Sequence, residues 1–356
     1  FQQFYTQLYS SESQSDHNRH IEYLSKLNLS HLSKEDAEQL GKPIQLNELK
    51  EALQLMQKGK APGIDGIPPE FYLTFFSQLG PLLLDMINTA IEAGSFQRDT
   101  NTALISVLLK PEKDPLSCNS YRPLSLIGSD TKLFAKVLAM RLESHMTKLV
   151  HFDQTGFIKN RLATDNVRRL LHVLDLVTDL TTPCAVVSLD AEKAFDRLKW
   201  TFLWAVLEFM GVGEKFINMI KTLYASPSAK VITGNNCSQP FPISRGSRQG
   251  CPLSPLLFCL SLEALAQAIR LSPLYSPITI KDTRHHISLY ADDILLYLSN
   301  APQTLPHLFD ILDTFSTHSG YKVNKNKSVL LSLNNAMLDS NILSPIPVVK
   351  NLGTLG

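Results

Sequence analysis

The sequence predicts an α+β chain, and two observations carry the prediction. Apolar strand-like runs such as "TALISVLLK" (102–110) and "AVVSLD" (185–190) are mixed with helical stretches, without the regular alternation of a doubly wound sheet. The stretch "HISLYADDILLYLSN" (286–300) reads as strand, turn and strand, with Asp292 and Asp293 side by side at the turn. The 356 residues, 44% hydrophobic, suffice for a sizeable core and two or three subdomains. No apolar run approaches the ~18 uninterrupted residues of a membrane span, and no membrane partner is expected. No leader is read after Phe1, and the missing initiator Met suggests a fragment or a processed chain. Five Cys without C-x-x-C spacing fit a reducing compartment better than a zinc site or a disulfide framework.

The elements follow in order. Residues 1–58 read as a polar helical extension, with Leu46, Leu49, Leu53 and Met56 at helical spacing before "KGKAPGIDGIPP" breaks the pattern. An apolar helix is expected over 69–93, a buried strand over 102–110, then the turn-rich "PEKDPLSCNSYRP" and an amphipathic helix over 130–150. The strand 185–190 ends in Asp190, and a helix follows to about Met210, stopped by Gly211. "SRGSRQGCPLSP" (244–255) reads as a Gly- and Pro-punctuated loop before another apolar helix. After the 286–298 hairpin, Leu305, Leu308, Leu312 and Phe315 mark one more helix, and the polar "SGYKVNKNKS" closes the pattern.

Net charge is only +1, but residues 101–170 carry eleven Lys or Arg against six Asp or Glu, a local excess of five. That segment suits a polyanion as well as it suits a solvated helix face. The acids are more specific. Adjacent carboxylates resist ionising together unless a cation compensates. Asp is also a common turn residue, so a plain hairpin turn competes for the pair. A helix cap competes for Asp190. If the strands carrying Asp190, Asp292 and Asp293 are neighbours in one sheet, the three converge at its edge. Hard divalent cations take such oxygen ligands, and three acids can hold two ions ~3.5–4 Å apart, as in phosphoryl and nucleotidyl transfer.

The order of segments resembles the reverse transcriptase domain of LINE-type non-LTR retrotransposons. "KAPGIDGIPPEFY" (60–72) resembles the segment opening that domain, "LLKPEKDPLSCNSYRPLSL" (108–126) its fingers strands, and "DQTGFIKNR" (153–161) a LINE-type insertion. "SLDAEKAFD" (188–196) and "RGSRQGCPLSPLLF" (245–258) are similar to its first two palm motifs, and "YADD" (290–293) to its metal-binding hairpin. "GYKVNKNKS" (320–328) and "VVKNLG" (348–353) resemble the following motif and the primer grip.

The resemblance implies a right-hand polymerase. Fingers would span 59–182 and a palm 183–356, a small antiparallel sheet packed on helices, with the thumb apparently missing. It implies two Mg²⁺ ions, replaceable by Mn²⁺, on Asp190, Asp292 and Asp293, with Lys327 protonating the departing pyrophosphate. Phe195 would select deoxynucleotides by clashing with a 2′-hydroxyl, though by residue type alone it reads as a core aromatic. Gln249 and Gly250 would pack near the nascent base pair, and Arg122 and Lys110 would meet the nucleotide phosphates. Arg161 would bind template, and Leu352 and Gly353 would grip the primer. There Asn351 stands where the family pattern usually has an aromatic residue.

The implied partners are an RNA template, a DNA primer and deoxynucleoside triphosphates. The implied setting is a longer polyprotein with an endonuclease and a thumb, intracellular in nucleus and cytoplasm. Two alternatives stay open: another right-hand polymerase, which Phe195 disfavours, and a decayed retroelement fragment that only binds nucleic acid.

Overall fold

The computed structural model describes residues 1–11, 17–97, 100–248 and 250–333 and the backbone of 348–349. Its strands in chain order are β1 (Thr102–Leu109), β2 (Tyr121–Leu126), β3 (Cys184–Leu189), β4 (Ser228–Thr233), β5 (Asn236–Cys237) and β6 (Phe241–Pro242). Then come β7 (Ile278–Ile280), β8 (Thr283–His285), β9 (Ile287–Tyr290), β10 (Asp293–Ser299), β11 (Val329–Leu333) and β12 (Val348–Val349). The mixed α+β character expected from the sequence is what the chain has.

Two compact units interleave along the chain. One comprises Phe1–Asp16, His31–Met146 and Phe195–Leu257, the other His17–Ser30, Thr147–Ala194 and Phe258–Gly356. The stretches 1–58, 59–182 and 183–356 therefore each contribute to both units, which gather segments that lie far apart in sequence.

In the first unit the sheet runs β2-β1-β4-β5, with β6 beside β4. β1 is antiparallel to β2, from Leu104 opposite Leu126 to Leu109 opposite Tyr121, and parallel to β4. Pro123 sits in the edge strand β2, where a missing N–H donor costs least. The N-terminal helix Gln2–Tyr9 lays Tyr5, Leu8 and Tyr9 against Ile105, Val231 and Phe241, so part of the segment read as a polar extension is core. Each such side chain contributes about 1.5–3 kcal/mol on burial. Arg141 ties helix Ser129–Glu143 to helix Leu46–Gln54 by a two-pronged contact with Glu48, both arms at 2.7 Å.

Two expected helices are each split. The stretch 69–93 forms helices Pro69–Thr74 and Phe76–Ala93, broken at Phe75 (φ −102°, ψ 24°). The stretch 130–150 forms Ser129–Glu143 and Met146–Leu149. Between them the Ser144 hydroxyl caps the Arg141 carbonyl and the His145 N–H reaches back only to Leu142, which ends the α-helical ladder.

In the second unit the sheet order is β12-β11-β3-β10-β9, antiparallel except for β11 and β12. Helix Ala163–Leu176 sends Val173 into a cluster with Val186 of β3, Ile278 of β7 and Tyr297 of β10. Helix Ser254–Leu271 begins in the first unit and continues in the second. By length and composition it is apolar enough to cross a membrane, but 72% of it is buried within the protein, as expected of a core helix.

Candidate active site

The second unit brings the three acids together. β10 lies between β9 and β3, with Asp293 opposite Tyr290 and Ile294 opposite Leu189. Continuing that register by one residue sets Asp190 across from Asp293. Asp292 stands in the two-residue turn beside them, half-buried, while Asp293 is exposed. Burial pushes the Asp292 carboxyl above its ordinary pKa, and the neighbouring Asp293 and Asp190 charges push it further. The Tyr321 phenol, 3% exposed, is raised by its burial and then by the same three carboxylates.

The segment "YKVNKNKS" docks on Asp190 through contacts that residue types alone did not signal. The Asp190 carbonyl accepts from the Asn324 N–H at 2.7 Å, and its own N–H donates to the Ser328 hydroxyl at 3.1 Å. Ser328 is fully buried, and its hydroxyl donates a hydrogen bond to the Asn324 carbonyl at 2.9 Å. Both backbone groups of Asp190 are thus fixed, and Lys327 Nζ comes to 3.8 Å from its carboxylate. Lys327 is exposed, so this pair adds little to stability.

A second cluster of this unit escaped the sequence reading. Asp153, 6% exposed, accepts from Arg169 at 2.6 Å and Arg270 at 3.0 Å and pairs with His151 at 2.8 Å. Burial alone would raise its pKa, but His151, Arg270 and Arg169 together hold it down at about 2. A lone Asp between Phe152 and Gln154 carries no sequence signal for such a hub; only its burial reveals it. Arg161 donates to the carbonyls of Val150, His151 and Gln154 at 2.6–2.8 Å, which makes it first a brace of that turn.

The remaining residues belong to the first unit. Arg122 is exposed opposite Leu108, and Lys110, two residues further along β1's path, shares that face of the hairpin. Gly250 packs against β2 at φ 110°, where a Cβ would lie 2.6 Å from the Ser125 carbonyl. Phe195 is half-buried, and its carbonyl accepts from the Ser247 N–H at 2.6 Å. Gly246, at φ 86°, lets the loop press on Asp196, whose carboxylate accepts from the buried Tyr9 hydroxyl at 2.9 Å. The helix Gln2–Tyr9 thereby helps anchor the "AFD" turn. Gln249, Leu352 and Gly353 lie outside the described residues.

Among the described residues no three His, Cys, Asp or Glu side chains already close on one point. The acids nonetheless fit a divalent cation. They are all-oxygen donors on adjoining strands, and one is destabilised as an anion by burial and by its neighbours. Mg²⁺ commonly takes only one or two carboxylates and fills its shell with water and substrate phosphates.

Residues 109–353 match the family model described as reverse transcriptase (RNA-dependent DNA polymerase). The chain is 33% identical over 298 residues to the Transposon TX1 uncharacterized 149 kDa protein of Xenopus laevis, covering 83% of this chain and 23% of that protein. It is 28% identical over 297 residues to the probable RNA-directed DNA polymerase from transposon BS of Drosophila melanogaster, covering 81% and 32%. It is 24% identical over 306 residues to the RNA-directed DNA polymerase from mobile element jockey of Drosophila funebris, covering 83% and 32%. The chain therefore spans roughly a quarter to a third of the length of these relatives. Its family uses divalent metal ions. With three acids at the adjoining ends of two interior strands, and with the family's motifs in order along most of its length, the chain belongs to the reverse transcriptase family, as a domain of the non-LTR retrotransposon type.

Proposed function

We propose that this chain extends a DNA primer on an RNA template by nucleotidyl transfer, with two Mg²⁺ ions, or Mn²⁺ in their place, held by Asp190, Asp292 and Asp293. The observation that carries the reading is the register that sets Asp190 across from Asp293 with Asp292 in the adjoining turn. Bound there, the ions would lower the pKa of the primer 3′-hydroxyl and offset the charge of the phosphoryl oxygens. The protein's own part is positioning. Asn324 and Ser328 hold Asp190 by its backbone, and Lys327, 3.8 Å from the Asp190 carboxylate, would give a proton to departing pyrophosphate. Arg122 and Lys110 offer cations from one face of a hairpin to the triphosphate. Gly250 and Gln249 pack near the base pair, Leu352 and Gly353 grip the primer, and Arg161 contributes to template binding beside its bracing role.

In this reading the β1–β2 hairpin belongs to the fingers and the sheet around β3 and β10 is the palm of a right-hand polymerase. The domain would work within a longer polyprotein that adds a thumb and an endonuclease, in cytoplasm and nucleus. The test is Mg²⁺-dependent extension of a DNA primer on an RNA template, offering deoxy- or ribonucleotides separately. Deoxynucleotide-selective extension is expected. Folded protein that binds primer–template without extending it would instead favour a decayed, nucleic-acid-binding remnant, and equal use of ribonucleotides would favour another right-hand polymerase.

Phe195 gives a sharper check. Replacing its ring with the smaller Phe195→Val side chain should improve ribonucleotide kcat/KM by about 10-fold or more, since one steric clash in a pocket is worth ~1–3 kcal/mol. Unchanged sugar preference in that variant would remove Phe195 from the nucleotide site.

A further inference from the structure

We infer that Gln154 is the positioning residue of the acidic turn. The two-residue connection between β9 and β10 drives Ala291 to φ 55°, a backbone region that suits glycine and strains a residue carrying a Cβ. The Gln154 carboxamide engages both backbone groups of that strained residue. Its Oε1 accepts from the Ala291 N–H at 3.0 Å, and its Nε2 donates to the Ala291 carbonyl at 3.2 Å. One planar side-chain amide thus does for Ala291 what a neighbouring strand does for a residue in a ladder.

The amide is itself held. Oε1 also accepts from the Gly156 N–H at 2.8 Å, and Gln154 is 1% exposed, so water has little access to compete. The backbone around it is laced to β9. Leu289 N–H donates to the Asp153 carbonyl at 2.9 Å, and the Leu289 carbonyl accepts from Thr155 N–H at 2.9 Å and from Asn166 Nδ2 at 2.8 Å. Gly156 lies so near the turn that a Cβ there would collide with the Ala291 nitrogen.

The orientation of the Ala291 peptide groups sets the direction in which Asp292 leaves the chain and influences that of Asp293. Metal and catalytic groups must be held to within about 0.5 Å of their working geometry, and such precision comes from locked supporting contacts. Gln154 touches neither substrate nor metal in this account and acts through Ala291. The inference rests on the reading of Asp190, Asp292 and Asp293 as the metal-binding acids.

The test measures Mn²⁺ binding, from the paramagnetic resonance of free Mn²⁺, and amide hydrogen exchange across 287–298. Wild-type protein should bind Mn²⁺, and Asp292→Asn should lose that binding. Gln154→Met keeps the volume but removes the bonds; it should weaken Mn²⁺ binding by about 10–100-fold, as loss of outer-shell partners does. Exchange at 287–293 should quicken while thermal unfolding stays cooperative. Adding Ala291→Gly, which removes the strain, should restore much of the loss. Wild-type Mn²⁺ affinity in Gln154→Met overturns the inference alone. Absence of Mn²⁺ binding in the wild type, or binding indifferent to Asp292→Asn, overturns the metal assignment beneath it. Should Gln154→Met not fold, Gln154→Glu keeps the acceptor and loses the donor; it should also quicken exchange at 287–293, and unchanged exchange there overturns the inference.

Discussion

Asp292→Asn is expected to reduce Mg²⁺-dependent primer extension by more than about 100-fold, the upper loss when merely an outer-shell partner of a metal ligand is removed. The substitution keeps the shape of the turn and deletes one charge. It should therefore act on activity and on stability in opposite directions. Burial, then Asp293 and Asp190, raise the folded-state pKa of Asp292 above its unfolded value. The ionised group opposes folding above that raised pKa, and the penalty fades as pH falls through it toward the unfolded value. Without divalent ions, the asparagine variant should thus be more stable than wild type at pH 7, with the gap narrowing toward pH 4. Urea midpoints at the two pH values measure this. A variant that still extends primers, or one less stable than wild type at pH 7, would remove Asp292 from the site.

The largest effect on stability is expected at Asp153. Asp153→Ala leaves Arg169 and Arg270 without their shared carboxylate, and breaking a buried pair in this way costs about 3–5 kcal/mol. The sign of its pH dependence is opposite to that of Asp292. Its folded pKa of about 2 lies below the ordinary 3.8, so its contribution is complete above the ordinary value and is lost as pH falls from there toward 2. That shift corresponds to about 2 kcal/mol, less than the mutational cost because protonation leaves the side chain in place for hydrogen bonding. Denaturant midpoints from pH 5 to pH 2 should fall for wild type, and Asp153→Ala should be weak throughout and flatter in that window. A fully stable Asp153→Ala would mean that the bonds Arg270 already makes to Glu263 and Gln267, and Arg169 to the Ile287 carbonyl, suffice for the two arginines.

Much of the candidate site is legible in the sequence because it depends on residue type and order. An apolar strand ending in Asp190, and two apolar runs flanking Asp292 and Asp293, report their own alternation; a hairpin with a two-residue turn needs only local information. The Gly246 and Gly250 positions were legible as a loop, and their reason, close approach of backbones, became visible only with the backbones in place. Helix boundaries at Phe75 and Ser144 were not legible, because they turn on single dihedrals and one capping hydroxyl rather than on periodicity.

By itself the sequence determined the α+β class, the three acids and the order of motifs that places this chain among reverse transcriptases. Tertiary structure alone decided that Asn324 and Ser328 fix Asp190, that Asp153 joins two arginines and a histidine, and that Gln154 clasps Ala291. The physical reason is range. Apolar periodicity is written into neighbouring residues, whereas a buried polar group is satisfied by whichever donor or acceptor the fold delivers. For Gln154 that partner lies 137 positions away along the chain.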